Sequence, residues 1–440
     1  GTIVRDDGHI DQALSGAAKR VTADYYIPHL AHASMEPPVA VAHVTADACE
    51  VWTCTQAPQA TRDELAKALG LPEAKITVNV TLLGGAFGRK SKPDYVVEAA
   101  LLSRAAGKPV KLLWTREDDI VNDYFHAVSA EHFEAALDGN GKVSGWLHRT
   151  VAPSISSTFK AGVDHEQAGE LSQGIIDLPF SIPNVRIENP AIDAHTRIGW
   201  FRSVYNIPHA FGIQSFVAEL AHAAGRDHRD FLLELLGPDR QFQPMTRVAF
   251  GDYGEDPQRY PVDTRRWKRV IETVTAAADW TRKRPQGRGL GLAAHRSFVT
   301  YTAAVCEVEV GPGGKLSIPR VDIAIDCGPQ VNPERVRSQL EGAVIMGIGL
   351  ALHGEVSFKN GRAEQSNFND FLVLRMNEAP REIHVHMVAP DDHSAPLGGV
   401  GEPGLPPIAP ALTNAIFAAT GQRIRALPIR QQWAKAKSVA

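Results

Sequence analysis

The feature that most constrains this chain is where its glycines fall. Gly84, Gly85 and Gly88 stand in LLGGAFGRK, between a β-like run and a helix-like run. Backbone amides in such a place approach an anion or an oxo group with no side chain in the way. The segment matches neither a nucleotide P-loop nor a full dinucleotide fingerprint, so a tight structural turn is an equally good reading of it. Gly342, Gly347 and Gly349 interrupt an otherwise clear helix. Asn332 is placed to cap it, Pro333 suits its first position, and Val336, Leu340, Val344, Ile348 and Ala351 repeat at helical spacing. Each glycine costs a helix about 1 kcal/mol relative to alanine, so a close neighbour must compensate, either another helix or a cofactor.

The remaining pattern mixes the two periodicities. From Val51 to Val80 the expectation is strand, helix (Ala60–Leu69, stopped by Gly70) and strand (Ile76–Val80). A further helix is expected over Pro93–Ala106, with Ser91 near its cap and Gly107 ending it, before a β-like run at Val110–Trp114. Residues Glu131–Ser154 read as an antiparallel pair around LDGNGK. The stretch from Pro238 to Pro285 is irregular apart from an amphipathic helix near Trp267–Trp280. Thr302–Val310 and Lys315–Ile325 alternate as paired strands around GPGG. The fold class is therefore α+β, with two regions, 1–286 and 287–440.

Composition narrows the function. With 440 residues, 44% hydrophobic, 22% charged and a formal net charge of −4, the chain has neither the signature of disorder nor a basic footprint for nucleic acid. The longest apolar run, Ala343–Leu352, is broken by glycines and is too short to span a bilayer. A soluble protein is expected, with nothing to separate cytoplasm from periplasm. The N-terminus lacks Met and any signal-peptide pattern, which reads as cut or processed. Cys49, Cys54, Cys306 and Cys327 show no zinc or iron–sulfur spacing and read as buried thiols. The histidines lack the i,i+4 placement of a zinc site, and no nucleophile elbow is present, so no metal held by side chains is expected.

One carboxylate stands out. In PLGGVGEPGLPPIAP, Glu402 lies in a Gly/Pro-rich loop before a helix expected at Ile408–Thr420 and closed by Gly421. A lone loop glutamate is ordinarily solvated. Its apolar and glycine flanks favour burial, and a buried carboxylate suits a general base.

In their order along the chain, HASMEP (His32–Pro37), TQAP (Thr55–Pro58), GGAFGRK, PVKLLWTREDD (Pro109–Asp119), GWFRSV (Gly199–Val204), DCGPQVNP (Asp326–Pro333), QLEGAVIMGIGLAL (Gln339–Leu352) and GGVGEPG (Gly398–Gly404) resemble the xanthine oxidase family. The likeness is to its molybdopterin-binding large subunits of isoquinoline 1-oxidoreductase or aldehyde dehydrogenase type. It implies a molybdenum-hydroxylase large-subunit fold with several interleaved subdomains around a pterin. By position it gives Glu402 and Gln56 catalytic roles, and places Gly85, Ala86, Phe87, Gly88, Arg89, Arg202, Gln339 and Gly401 around the cofactor. Ala86 and Lys90 depart from the family's common glycine and arginine.

The resemblance further implies molybdopterin cytosine dinucleotide, its molybdenum held by the pterin dithiolene rather than by side chains. The implied reaction hydroxylates an N-heteroaromatic ring or oxidises an aldehyde, with water as oxygen source. Electrons would pass to a partner subunit carrying 2Fe–2S clusters and on to an acceptor such as a cytochrome c or a flavoprotein. The family's usual N-terminal region does not precede HASMEP, so a further polypeptide carrying it is expected. The alternative is a noncatalytic molybdopterin-binding or cofactor-maturation protein.

Overall fold

The computed structural model describes residues 1–390 and 392–437. The strands of its three larger sheets are, in chain order, β1 (Thr2–Asp7), β2 (Lys19–Ile27), β3 (Val39–Val44), β4 (Cys49–Thr53), β5 (Ile76–Val80), β6 (Val110–Leu113), β7 (Ser129–Leu137), β8 (Val143–Val151), β9 (Val185–Asn189), β10 (Arg288–Ser297), β11 (Thr300–Val310), β12 (Leu316–Asp326) and β13 (Glu382–Met387). The helices that carry or support the site are α1 (Pro58–Leu69), α2 (Asp94–Ala106), α3 (Asn206–Ala223), α4 (Thr264–Ala277), α5 (Pro333–His353) and α6 (Ile408–Thr420).

Turn chemistry sets the connections. β7 and β8 pair antiparallel, and Asp138 folds the turn between them by accepting from the Asn140 and Lys142 amides at 2.8 and 2.9 Å. Together with β2, β9 and β1 they form a five-stranded sheet in the order β1-β9-β8-β7-β2. β4, α1 and β5 make a parallel crossover within the sheet β5-β4-β3-β6, with Gly70 in the left-handed conformation that ends α1. α2 starts at Asp94 behind Pro93. Ser91 does not cap it, because its hydroxyl donates instead to the Gly88 carbonyl at 2.6 Å. β10 to β12 form a meander, and α5 crosses from β12 to its parallel neighbour β13.

The mixed architecture agrees with the α+β expectation. The amphipathic helix of the irregular stretch begins three residues earlier than the sequence pattern gives, at Thr264, where Asp263 caps it by accepting from the Arg265 amide at 2.8 Å. The largest core draws on both sides of residue 287: Tyr25, Phe133, Phe211 and Phe216 pack in one cluster with Val305, Ile323, Ile348 and Ile408. α3 lies inside it, buried all round from Asn206 to Ala221. Burial of the hairpin β10–β11 and of α6 against this helix holds the site's two sides in fixed relation. No helix among the described residues is long and apolar enough to cross a membrane.

In α5, Asn332 accepts from the Arg335 amide at 3.1 Å and Pro333 takes the first position. Its glycines do different things. A Cβ on Gly347 would lie 2.7 Å from that of Ile408 in α6, so helix packing is what approaches there. A Cβ on Gly342 would meet nothing within 4 Å, and that face of α5 borders a cavity.

Candidate active site

The first wall of the site is the loop after β5. Phe87 and Gly88 both have positive φ, 56° and 115°. A Cβ on Gly88 would sit 1.4 Å from the Trp200 carbonyl oxygen, so only glycine fits. Gln56 follows β4 and meets this loop twice: its amide donates to the Lys90 carbonyl at 2.9 Å, and its side-chain oxygen accepts from the Gly88 amide at 3.1 Å. That pairing fixes the side chain with its NH₂ end directed away from the loop.

The two basic residues of the motif anchor the loop rather than line the cavity. Arg89 is buried and forms a two-pronged bond to Asp94, both contacts 2.9 Å, while Lys90 donates to Glu36 at 2.6 Å. Glu36 also accepts from the Gly84 amide at 2.9 Å. Gly85 stands beside the site without bordering the cavity.

The opposite wall forms where the chain enters α3. Arg202, Ser203 and Val204 connect the two walls, since the Arg202 amide donates to the Phe87 carbonyl at 2.8 Å. The Arg202 guanidinium donates to the Gly401 carbonyl at 2.7 Å and to the Gln339 carbonyl and side-chain oxygen at 3.1 and 3.2 Å. Ser203 and Val204 hold φ of 75° and 48°, a strained conformation for non-glycine residues. The strain aims the Ser203 amide at the Glu402 carboxylate, to which it donates at 2.6 Å, while its hydroxyl donates to the Glu402 carbonyl at 2.7 Å. A buried relay holds Ser203 there. Asn206 donates to the Ser203 carbonyl at 2.9 Å, and accepts from Tyr253 and His295 at 2.8 and 2.9 Å.

Electrostatics follow from these partners. Burial raises the Glu402 pKa, with the Ser203 amide and the Arg202 charge offsetting part of the rise. Burial lowers that of Arg202, with Glu402 opposing. Glu402 thus sits nearer to the proton-exchanging range than an exposed glutamate, as a general base requires.

Gln56, Ala86, Phe87, Gly88, Arg202, Gln339, Gly401 and Glu402 border one cavity of about 700 Å³. Phe87, Phe201 and Arg202 separate it from a second, more apolar cavity of about 420 Å³ beside Gly342 and Met346 of α5. Ser203, Trp200, Phe298 and Lys92 are site residues to which the sequence reading gave no role. Ser203 and Trp200 lie inside GWFRSV and Lys92 lies two residues past GRK, so membership of a motif or nearness to one was the available signal, and Phe298 had neither.

The residues present fit a pterin-held metal. Among the described residues no cluster of His, Cys, Asp or Glu is built to hold an ion. The cavity is instead bordered by Gln56, whose side-chain oxygen is taken by the Gly88 amide so that its NH₂ is left to donate, by Phe87, and by open space at Gly401, where a Cβ would meet nothing within 4 Å. Such a wall suits a group that brings its own metal ligands and needs hydrogen bonds and room.

Two molybdopterin cofactor-binding domain families match the chain, over residues 2–233 and 249–380. A nicotinate dehydrogenase subunit from Pseudomonas putida is 30% identical over 98% of the chain and 36% of its own length. The beta subunit of isoquinoline 1-oxidoreductase from Brevundimonas diminuta is 31% identical over 92% of the chain and 49% of its own length. The chain thus spans half or less of these curated relatives. The crystal structure of quinoline 2-oxidoreductase from Pseudomonas putida 86 shares the fold, with a TM-score of 0.79 at 14% identity, over 99% of this chain and 79% of that one.

Proposed function

The chain belongs to the molybdopterin-binding domains of the xanthine oxidase family, and from that premise we propose that it forms the cofactor-enclosing part of a molybdenum-dependent oxidoreductase with Glu402 as its proton acceptor. The proposed reaction hydroxylates an electron-poor carbon of an N-heteroaromatic ring, or of an aldehyde, with oxygen from water. The observation that carries it is the meeting of Glu402, Gln56 and the Phe87–Gly88 backbone at one cavity, with burial raising the Glu402 pKa. The names of the two relatives, a nicotinate dehydrogenase and an isoquinoline oxidoreductase, support a heteroaromatic substrate.

When bound, the molybdenum cofactor supplies a two-electron acceptor. This chain's residues do the rest of the work at the site. The Glu402 carboxylate takes a proton from the attacking water-derived oxygen, and the Ser203 amide at 2.6 Å fixes which carboxylate oxygen faces the cavity. The Gln56 NH₂ and the Phe87 amide are the groups that would hold the cofactor there by hydrogen bonds. Arg202 ties the Glu402 loop to Gln339 of α5 and holds the two walls at constant separation. Phe201 and Trp200 add apolar surface to the cavity wall beside the reacting groups.

The cytosine dinucleotide form of the cofactor belongs to the same proposal, as does a partner subunit with 2Fe–2S clusters. The support for the partner is that both relatives are named as subunits. The test is turnover of the native purified complex with a dye acceptor in ¹⁸O-labelled water, alongside molybdenum and nucleotide analysis. Label in the hydroxylated product is expected; a cofactor-replete complex that turns over none of a panel of N-heteroaromatics and aldehydes would leave the noncatalytic reading standing. Native mass spectrometry tests the partner: a cofactor-replete protein that turns over steadily with no second subunit bound would refute it.

A further inference from the structure

Lys92 has no part in the chemistry above, yet it borders the same cavity as Gln56 and Glu402. Its Nζ lies 4.0 Å from the centre of the Phe159 ring and 4.1 Å from that of Trp200. Those rings stack on each other at 5.7 Å and 13°, and Tyr124 extends the stack at 6.2 Å from Phe159. Both flanking rings keep a free surface, with Phe159 50% and Trp200 41% exposed.

The other cations around the site are already committed. Arg202 is bonded to Gly401 and Gln339, Arg89 to Asp94, and Lys90 to Glu36. Among the described residues, the contacts of Lys92 Nζ are the two ring faces, with Glu64 and Asp94 acting only at longer range. Burial against the rings pulls its pKa below the ordinary lysine value, against those two carboxylates. Ring faces attract an ammonium but accept none of its three N–H donors in the way a carboxylate does. A half-desolvated ammonium on an aromatic platform is therefore incomplete until an anion arrives, and a planar ring attached to that anion gains stacking area on the same platform.

We propose that Lys92, held on the Trp200–Phe159 stack, selects planar aromatic or N-heteroaromatic substrates that carry a carboxylate, which pairs with Nζ while the ring enters the cavity shared with Glu402. This rests on the oxidoreductase reading for the reaction, and adds to it the charge of the substrate and the residue that recognises it. A phosphate of the bound cofactor shares the anionic chemistry, and the test separates the two sources.

The experiment compares pyridine-3-carboxylate with its neutral isostere pyridine-3-carboxamide on the native holoenzyme, by calorimetric affinity and by kcat/KM, in wild type, Lys92→Met and Lys92→Arg. Wild type should favour the carboxylate, and Lys92→Met should lower that preference by about 10–100-fold, the range for one charge-assisted hydrogen bond. Lys92→Arg should keep most of it, and molybdenum and nucleotide content should stay at the wild-type level in both variants. The proposal is overturned if wild type shows no preference, if Lys92→Met retains it, or if both ligands weaken in parallel as a purely structural role predicts. Loss of cofactor from Lys92→Met would likewise overturn it, assigning the lysine to the cofactor phosphate. Binding preference without turnover of either compound would count against the oxidoreductase reading and leave the Lys92 assignment standing.

Discussion

The loops Gly84–Lys90 and Gly398–Gly404 meet at one cavity, are both glycine-rich and both precede helices, yet they are built on opposite physical terms. The first is fastened by charge: Arg89 to Asp94, Lys90 to Glu36, and Glu36 back to the Gly84 amide. The second is fastened through its backbone carbonyls, without an ion pair among the described residues. Thr300 donates to the Gly399 carbonyl at 2.7 Å, Ser203 donates to the Glu402 carbonyl, and Arg202 spends its Nε on the Gly401 carbonyl rather than on the carboxylate. Had Arg202 paired directly with Glu402, as Arg89 does with Asp94, the carboxylate would be stabilised in its charged form and its pKa pulled down. The difference lets the fold keep an arginine beside the proposed base without holding its carboxylate in the charged form.

The largest effect expected from breaking this arrangement is at Glu402. Glu402→Gln should lower kcat by at least about 100-fold, because it removes the proton acceptor while preserving shape. Molybdenum content should remain near wild type, and steady-state turnover of a cofactor-replete variant is the check. Gln56→Ala, on the charge-fastened side, should cost less, about 10–100-fold in kcat, since it removes an orienting hydrogen bond rather than a reacting group. Unchanged kinetics across several substrates would reassign Gln56 to holding the Gly88 amide.

The glycines sharpen the contrast through stability. Gly88→Ala forces a side chain into the Trp200 carbonyl at positive φ and should destabilise the fold by at least about 1–3 kcal/mol, whereas Gly401→Ala, which meets open space, should change stability by less than about 0.5 kcal/mol. Denaturant titration of both variants reads the two values, and similar losses would erase the distinction between a glycine the fold requires and one that leaves room.

The smallest effects are those of pH. Catalysis needs Glu402 ionised, so kcat/KM should rise with pH through its raised pKa, with an acid limb above the ordinary glutamate range that disappears in Glu402→Gln. The stability sign is the reverse. A carboxyl whose pKa is raised by folding binds its proton more tightly in the folded state, so ionising it costs stability as pH climbs from the unfolded value through the folded one. The Tm of Glu402→Gln should therefore gain on that of wild type over this window, and a constant difference from about pH 4 to about pH 8 would argue that Glu402 is not desolvated.

Local signals in the sequence were enough for several of the elements, though not for α3 or for the strands β1, β2, β3, β9 and β13. Pro333 behind Asn332 started α5, Gly70, Gly107 and Gly421 ended α1, α2 and α6, and the alternating runs around LDGNGK and GPGG became paired strands. Each of these depends on residues a few positions apart, whose backbone preferences act before any tertiary contact forms. Motif order likewise made Glu402, Gln56, Arg202 and Gln339 legible as candidates. What only the tertiary structure decided was which motif residue does what. Arg89 and Arg202 are both buried arginines in family motifs, yet one serves an ion pair under a loop while the other faces the cavity. Gly347 and Gly342 sit in one helix, yet one admits Ile408 and the other borders open space. Ser203, although inside GWFRSV, and Lys92 were given no role by the sequence, because the partners that define them, Glu402 and the Phe159–Trp200 stack, arrive from 199 residues along the chain in the first case and from separate loops in the second. Periodicity and capping are local and can be read in order along a chain; the choice of partner for a buried charge is set by packing between distant segments, and that choice is what separates the glutamate proposed as a base from one that serves as an anchor.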